Sequence, residues 1–105
     1  MNLGKAIKLC RVQRDLTLTE LAKKADISKS YLSLVERGMR DPTFSTIESL
    51  ATALEVPISI LVFLAADGKE LEAMNPDLAQ KLSYTALRLI EGSNGELSLH
   101  EQPNN

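Results

Sequence analysis

The sequence predicts an all-α fold, short helices packed around one aliphatic core with a further helix after it. Three observations predict it. Apolar residues recur at three- and four-residue spacing along most of the chain, the period of helices with one buried stripe. The stretch Thr17 to Pro42, TLTELAKKADISKSYLSLVERGMRDP, marks out two such helices: a hydroxyl residue stands at each start, a glycine follows the second, and a proline lies beyond it. The 105 residues include no Trp and only two Tyr and two Phe, so the core must be aliphatic. A chain of this length holds one core, with too little left over for a separate ligand domain.

The first helix is expected from about Asn2 or Leu3 to Arg14, with Leu3, Ile7 and Cys10 forming its buried stripe. Leu9 and Val12 fall off that stripe. They are either scattered surface apolars or a face covered by the C-terminal segment or another subunit. Asp15 and Leu16 make a turn, with Leu16 directed to the core. Thr17 and Glu20 have capping-box spacing and open a helix from Leu18 to about Ala25 that buries Leu21, Ala22 and Ala25. Asp26 is the next turn residue, Ile27 anchors it, and Ser28 caps the third helix. On that helix Leu32, Val35 and Glu36 share one face with Tyr31 beside it. Ser30, Ser33, Leu34 and Arg37 share the other, and Lys29 stands at its N-terminal end. Gly38 sits where a helix end favours a left-handed residue.

Thr43 caps a fourth helix running through Leu54, with Ile47, Leu50, Ala51 and Leu54 inward, and Pro57 breaks the chain after it. Residues 58–66, ISILVFLAA, are apolar on nearly every side and are expected to be buried all round. Asp67-Gly68 ends this segment, and 69–74 forms a short helical piece. Asn75-Pro76 is a cap followed by proline at the first helical position, and Asp77 adds negative charge at the positive end of the dipole. The last helix then runs to Glu91 and closes at Gly92. Its stripe is Leu78, Leu82, Thr85, Ala86 and Leu89, with Leu87 and Ile90 alongside. Residues 93–105 are polar and expected to be disordered. The organisation is thus a domain over 1–66, a helical extension over 67–92 that dimerises or completes the core, and a tail over 93–105.

Composition excludes several function classes. The single cysteine, Cys10, rules out an internal disulfide framework and fits a reducing compartment. The one histidine, His100, lies in the tail. No nucleophile–base pair, carboxylate pair or phosphate loop is visible, so no catalytic residue, metal site or cofactor is expected. The charged N-terminus is not a signal peptide, and the run Ile60 to Ala66 is far short of the ~20 residues of a membrane span. A cytoplasmic protein with no membrane partner is expected. The net charge of −2 is unevenly spread: residues 1–64 carry nine Lys/Arg and seven Asp/Glu, residues 65–105 three and seven. The basic surface belongs to the N-terminal part.

Helix, tight turn, helix is the unit that places a helix in the DNA major groove. Hydroxyls and an ammonium on the third helix can bond base edges, and Leu34 can meet a thymine methyl; the same residues also suit an ordinary solvated face. The motifs go further. L-T-x-x-E-L-A, then I-S-x-S-Y-L-S-x-V-E-R-G, a proline four residues after that glycine, and I-x-x-L-A-x-A-L resemble the Xre/Cro family of helix-turn-helix domains, the class of the lambdoid phage repressors, over about residues 3–64.

The resemblance implies a five-helix lambda-repressor-like domain, to which this chain adds a C-terminal helix. It implies that Lys29, Ser30, Ser33 and Leu34 face base edges, that Thr17, Leu18, Arg37, Arg40 and Thr43 lie against the DNA backbone, and that Arg11 and Glu36 form a structural ion pair. Leu18 stands where the family commonly has Gln, and Asp15 and Glu55 stand where it commonly has Gly. The function expected is a sequence-specific transcriptional regulator, a repressor binding a palindromic operator in double-stranded DNA as a homodimer, nucleoid-associated when bound. Candidate dimer residues are Ile60, Phe63, Leu64, Leu78, Leu82 and Leu89. The alternative is an antitoxin-like or adaptor module that uses the same motif for autoregulation or for binding a protein partner.

Overall fold

The computed structural model describes residues 1–92, the side chains of the last three excepted; the Ile90 side chain and the 93–105 tail therefore lie outside what is described. Among those residues there are seven helices and no strand: α1 Leu3–Gln13, α2 Leu18–Lys24, α3 Lys29–Glu36, α4 Phe44–Leu54, α5 Ile58–Ala65, α6 Gly68–Glu72 and α7 Pro76–Gly92. The first five match the expected unit to within a residue or two. The extension holds the short helical piece expected over 69–74, as α6, and the long last helix, α7.

Side-chain caps set the starts. Thr17 and Glu20 close their capping box with two hydrogen bonds, Glu20 N–H to Thr17 Oγ1 at 3.0 Å and Thr17 N–H to Glu20 Oε1 at 2.9 Å. Ser28 Oγ accepts from Tyr31 N–H at 3.0 Å, and Thr43 Oγ1 from Thr46 N–H at 3.2 Å. Asn75 Oδ1 accepts from the N–H groups of Asp77 and Leu78. Asp67 does not merely end α5: with Glu70 it makes a second capping box that opens α6.

The helix ends share one device. After α1, α2, α3 and α4 the chain turns through a left-handed residue: Asp15 (φ 58°), Asp26 (φ 59°), Gly38 (φ 76°) and Glu55 (φ 59°). Each time the following N–H reaches back five residues, as Val56 does to the Ala51 carbonyl at 3.0 Å, which satisfies carbonyls that a helix end otherwise leaves open. The residue making that bond is Leu16, Ile27 or Val56 at three of the ends, and all three pack on the core. At the fourth it is Met39, which is exposed.

Ile7, Leu21, Leu32, Val35, Leu50, Leu54, Ile60 and Leu61 are fully enclosed. Each such side chain contributes roughly 1.5–3 kcal/mol on burial. α1 packs on α3 and α5, α2 on α3 and α4, and α7 on α5. Arg14 ties α1 to the end of α4, its Nε donating to the Leu54 carbonyl at 2.9 Å and its Nη2 to that of Glu55 at 3.1 Å. No single described helix is long and apolar enough to cross a membrane.

Expectations about α5 and α7 need correction. α5 is not buried all round: Ile60, Leu61 and Ala65 are enclosed, but Val62 is exposed and Phe63 and Leu64 are half-buried. One small core has only one side to offer it. Ile60, a candidate dimer residue, is only 1% exposed and thus enclosed within the protomer. α7 divides along its length. Ala86 is buried and Leu89 half-buried where they line a cleft with Leu9, Cys10, Val56, Ile60 and Leu64, whereas Leu78 at the other end is 49% exposed. Leu9 is thus partly covered by the C-terminal helix, while Val12 is not.

Candidate nucleic-acid interface

α3 owes its placement to what lies behind it. Leu32 and Val35 are fully buried, which fixes its rotation. Arg11 fixes its height. The Arg11 Nε donates to Glu36 Oε2 at 2.7 Å and Nη2 to Glu36 Oε1 at 3.0 Å, a two-bonded pair of the kind that holds a guanidinium in one orientation. Its Nη1 donates to the Leu16 carbonyl at 2.9 Å. One side chain from α1 therefore binds both the turn before α2 and the end of α3. The Glu36 side chain is only 5% exposed, so this pair is shielded from solvent.

The sequence reading missed a third restraint. A Cβ at Gly4 would lie 2.3 Å from the Val35 carbonyl oxygen and 2.7 Å from that of Glu36. α1 thus meets the last turn of α3 backbone to side, and only glycine fits there. The available signal was a glycine inside a helical pattern, which often marks close packing.

On the outward side Lys29, Ser30 and Arg37 are exposed, and Ser33 and Leu34 half-buried. These five and Leu18, the first residue of α2, line one open depression. The four expected base-reading residues are therefore together on one surface. Of the expected backbone-contacting residues, Leu18 and Arg37 belong to that depression, but Thr17, Arg40 and Thr43 do not line it. Arg40 lies with its guanidinium carbon 5.4 Å from the centre of the Tyr31 ring, a cation–π distance that steadies the charge beside the α3 end. Thr17 and Thr43 each use the hydroxyl oxygen to cap a helix; for Thr17 this leaves the hydroxyl hydrogen able to donate to an acceptor such as phosphate, whereas the Thr43 hydroxyl also pairs with those of Ser45 at 3.1 Å and Thr46 at 3.0 Å. Met39 and Phe44, 63% and 65% exposed, flank these groups and were not anticipated.

The chemistry of this face is that of a binder. It offers donors (ammonium, guanidinium, hydroxyl) beside two leucines. Cys10, the one nucleophile with a perturbed pKa, lies elsewhere, beneath α7; burial pushes its thiol up, against a smaller lowering by Arg14.

Comparison with known proteins adds relatives to the geometry. A family model described as helix-turn-helix matches residues 7–61, just over half of the chain. The immunity repressor protein of Bacillus phage phi105 is 44% identical over 62 residues, which is 59% of this chain and 43% of that protein. The transcriptional regulator SinR of Bacillus subtilis is 36% identical over 61 residues, 57% of this chain and 55% of that protein. The chain spans about half the length of the curated relatives it matches. Among solved structures, the clp gene regulator ClgR from Corynebacterium glutamicum aligns with a TM-score of 0.63 at 32% identity, covering 80% of this chain and 89% of that one. A SinR protein/SinI protein complex aligns at 0.56 and 32% identity, covering 81% and 78%. Coverage of four-fifths of the chain takes both structural matches past residue 66, beyond the reach of the family model.

Proposed function

The chain belongs to the Xre-type helix-turn-helix family of DNA-binding transcriptional regulators, and from that premise we propose that it is a repressor that binds a palindromic operator as a homodimer and reads sequence through α3. The observation that carries this reading is the contrast between the two sides of α3. The inner side is held by burial, by Arg11 and by the close contact at Gly4. The outer side turns Lys29, Ser30, Ser33 and Leu34 to one open depression, on the helix so held. Preorganised donors on a fixed helix are what base-edge readout requires.

In this proposal Thr17, Leu18, Arg37, Arg40 and Thr43 hold the backbone and set register, without reading sequence themselves. Two copies place their α3 helices in successive major grooves, about 34 Å apart. The second copy docks on apolar residues of α5 and α7 that the protomer leaves exposed or only half-buried, among them Phe63, Leu64, Leu78 and Leu82, with Leu89 at the edge of the covered part. The protein acts in the cytoplasm, at the nucleoid when DNA-bound, and no enzymatic step is part of the proposal.

A binding titration against the DNA upstream of its own gene, at moderate salt, tests the reading. Specific binding should exceed binding to scrambled DNA by at least ~10³; equal affinity would remove it. Sedimentation should give a dimer at tens of micromolar, with or without DNA. A second reading, a module for a protein partner, is favoured by one observation: a solved structural relative is a complex of SinR with SinI. A stable complex with a separate protein that abolishes DNA binding would support this second reading.

A further inference from the structure

We infer that Leu18 and Leu34 together form a seat for the C5 methyl group of a thymine, so that Leu18 reads a base and does not merely touch the backbone. The inference rests on the reading of the chain as a sequence-specific DNA binder and sharpens it at one position. Leu18 is the first residue of α2 and Leu34 lies on the outer side of α3, yet both line the same open depression, together with Ser30, Ser33, Lys29 and Arg37. Leu18 is also packed against the core on its inner side, so its position is fixed by the fold and not by a flexible stem.

The chemistry then selects the occupant. The Arg37 guanidinium suits a surface laid against phosphates, which brings the two leucines beside it to base edges inside the major groove. Those edges are donors and acceptors, with a single kind of apolar group among them, the thymine methyl. Two leucines set against amide and carbonyl edges would strip water from groups they cannot bond, at a cost; set around a methyl group, they bury apolar surface with no such loss. A side chain able to hydrogen-bond at position 18 would hold a phosphate. Leucine cannot, and its branched end faces the depression that Leu34 shares.

The test uses the full chain and a duplex selected from random DNA. Each thymine of a half-site is replaced in turn by deoxyuridine, which removes only the methyl. We expect one thymine per half-site whose replacement weakens binding about fourfold, the worth of one buried methyl group. Leu34→Ala should reduce that penalty to less than about twofold while leaving the melting temperature nearly unchanged, and Leu18→Gln should do the same, its size protecting the core. Deoxyuridine tolerated at every position overturns the inference and leaves the regulator reading intact. A penalty that persists in both variants also overturns it, since some other residue then holds the methyl. A site that gains affinity only when a cytosine is 5-methylated overturns the assignment to thymine. Failure to select any sequence removes the regulator reading itself, and the inference with it.

Discussion

Replacing Gly4 by Ala sets two well-defined effects against each other. Intrinsic helix propensity favours alanine by about 1 kcal/mol in a helix interior, and by less near an N-terminus. Packing opposes it. The new methyl carbon would stand 2.3 Å from the Val35 carbonyl oxygen, 2.7 Å from that of Glu36 and 3.0 Å from the Glu36 carbonyl carbon. A comfortable carbon–oxygen approach is about 3.3 Å, so α1 and the last turn of α3 must separate by about 1 Å. Every obstructing atom is backbone, so no side chain can swing away. Overpacking of this kind costs roughly 1–3 kcal/mol, which outweighs the propensity gain. We expect a net loss of about 1–2 kcal/mol, or roughly 5–15 °C in melting temperature for a domain of this size. Gly68→Ala is the internal comparison, because nothing lies within 4 Å of a Cβ there; it should stay within ~0.5 kcal/mol of the parent. Urea titrations followed by circular dichroism measure both. The strain also falls on the turn that carries Glu36, so DNA affinity should drop with stability. A Gly4→Ala protein as stable as the parent, or more so, would show that helix propensity wins and that α1 does not restrain α3 in the way described.

The remaining predictions address other parts of the frame. Arg11→Ala should cost about 3–5 kcal/mol, because it strands a carboxylate whose side chain is only 5% exposed; a variant that melts normally but prefers a new operator would contradict the structural role. Glu55→Gly should stabilise by about 0.5–1 kcal/mol, since the left-handed φ of 59° there strains any side chain with a Cβ, whereas Gly38→Ala should destabilise for the same reason; differential denaturation reads both signs. Cys10 should react slowly with thiol reagents until the protein unfolds, because burial raises its pKa. Since the folded pKa is the higher one, this group's contribution to stability is intact below the ordinary thiol range and is lost as pH rises from there through the raised folded value, which alkaline melting curves would show. For the interface, Lys29→Ala should relax base preference at one position by ~1–3 kcal/mol, while Arg40→Ala should weaken binding to all sequences and lower the salt slope by about one unit. Reversal of those two patterns in salt-dependent binding titrations would exchange the proposed roles.

The fold was largely legible, for a local reason. Thr17, Ser28, Thr43 and Asn75 each satisfy N–H groups two or three residues away, so the cap and the helix it starts lie within one short window of sequence. Helix ends were less legible at Asp15 and Glu55, which adopt φ near +60° with no glycine to announce it. There the Schellman bonds, and the apolar residue each returns to the core, outweigh the cost of a Cβ in that region. The Gly4 contact was hidden for the opposite reason. Its partners, Val35 and Glu36, lie more than thirty residues away, and nothing local distinguishes a glycine that must be small from one that is merely tolerated.

The two ends of α7 show where pattern reading stops. A helical apolar stripe states which side of a helix avoids water but not what covers it. Leu78, Leu82, Ala86 and Leu89 lie on one stripe, and by period alone they are equivalent. Packing separates them: α5 is only eight residues long, against seventeen for α7. A helix of eight residues spans about 12 Å and one of seventeen about 25 Å, so α5 can cover only part of α7. Ala86 and Leu89 fall over the covered part, and Leu78 overhangs it at 49% exposure. The uncovered length, together with Val62 on α5, leaves apolar surface that the other described residues do not cover. The two outcomes that the stripe left open, completing the core or meeting another chain, therefore need not exclude each other. The mismatch in length assigns the first to the C-terminal half of α7 and leaves Leu78, in the N-terminal half, exposed.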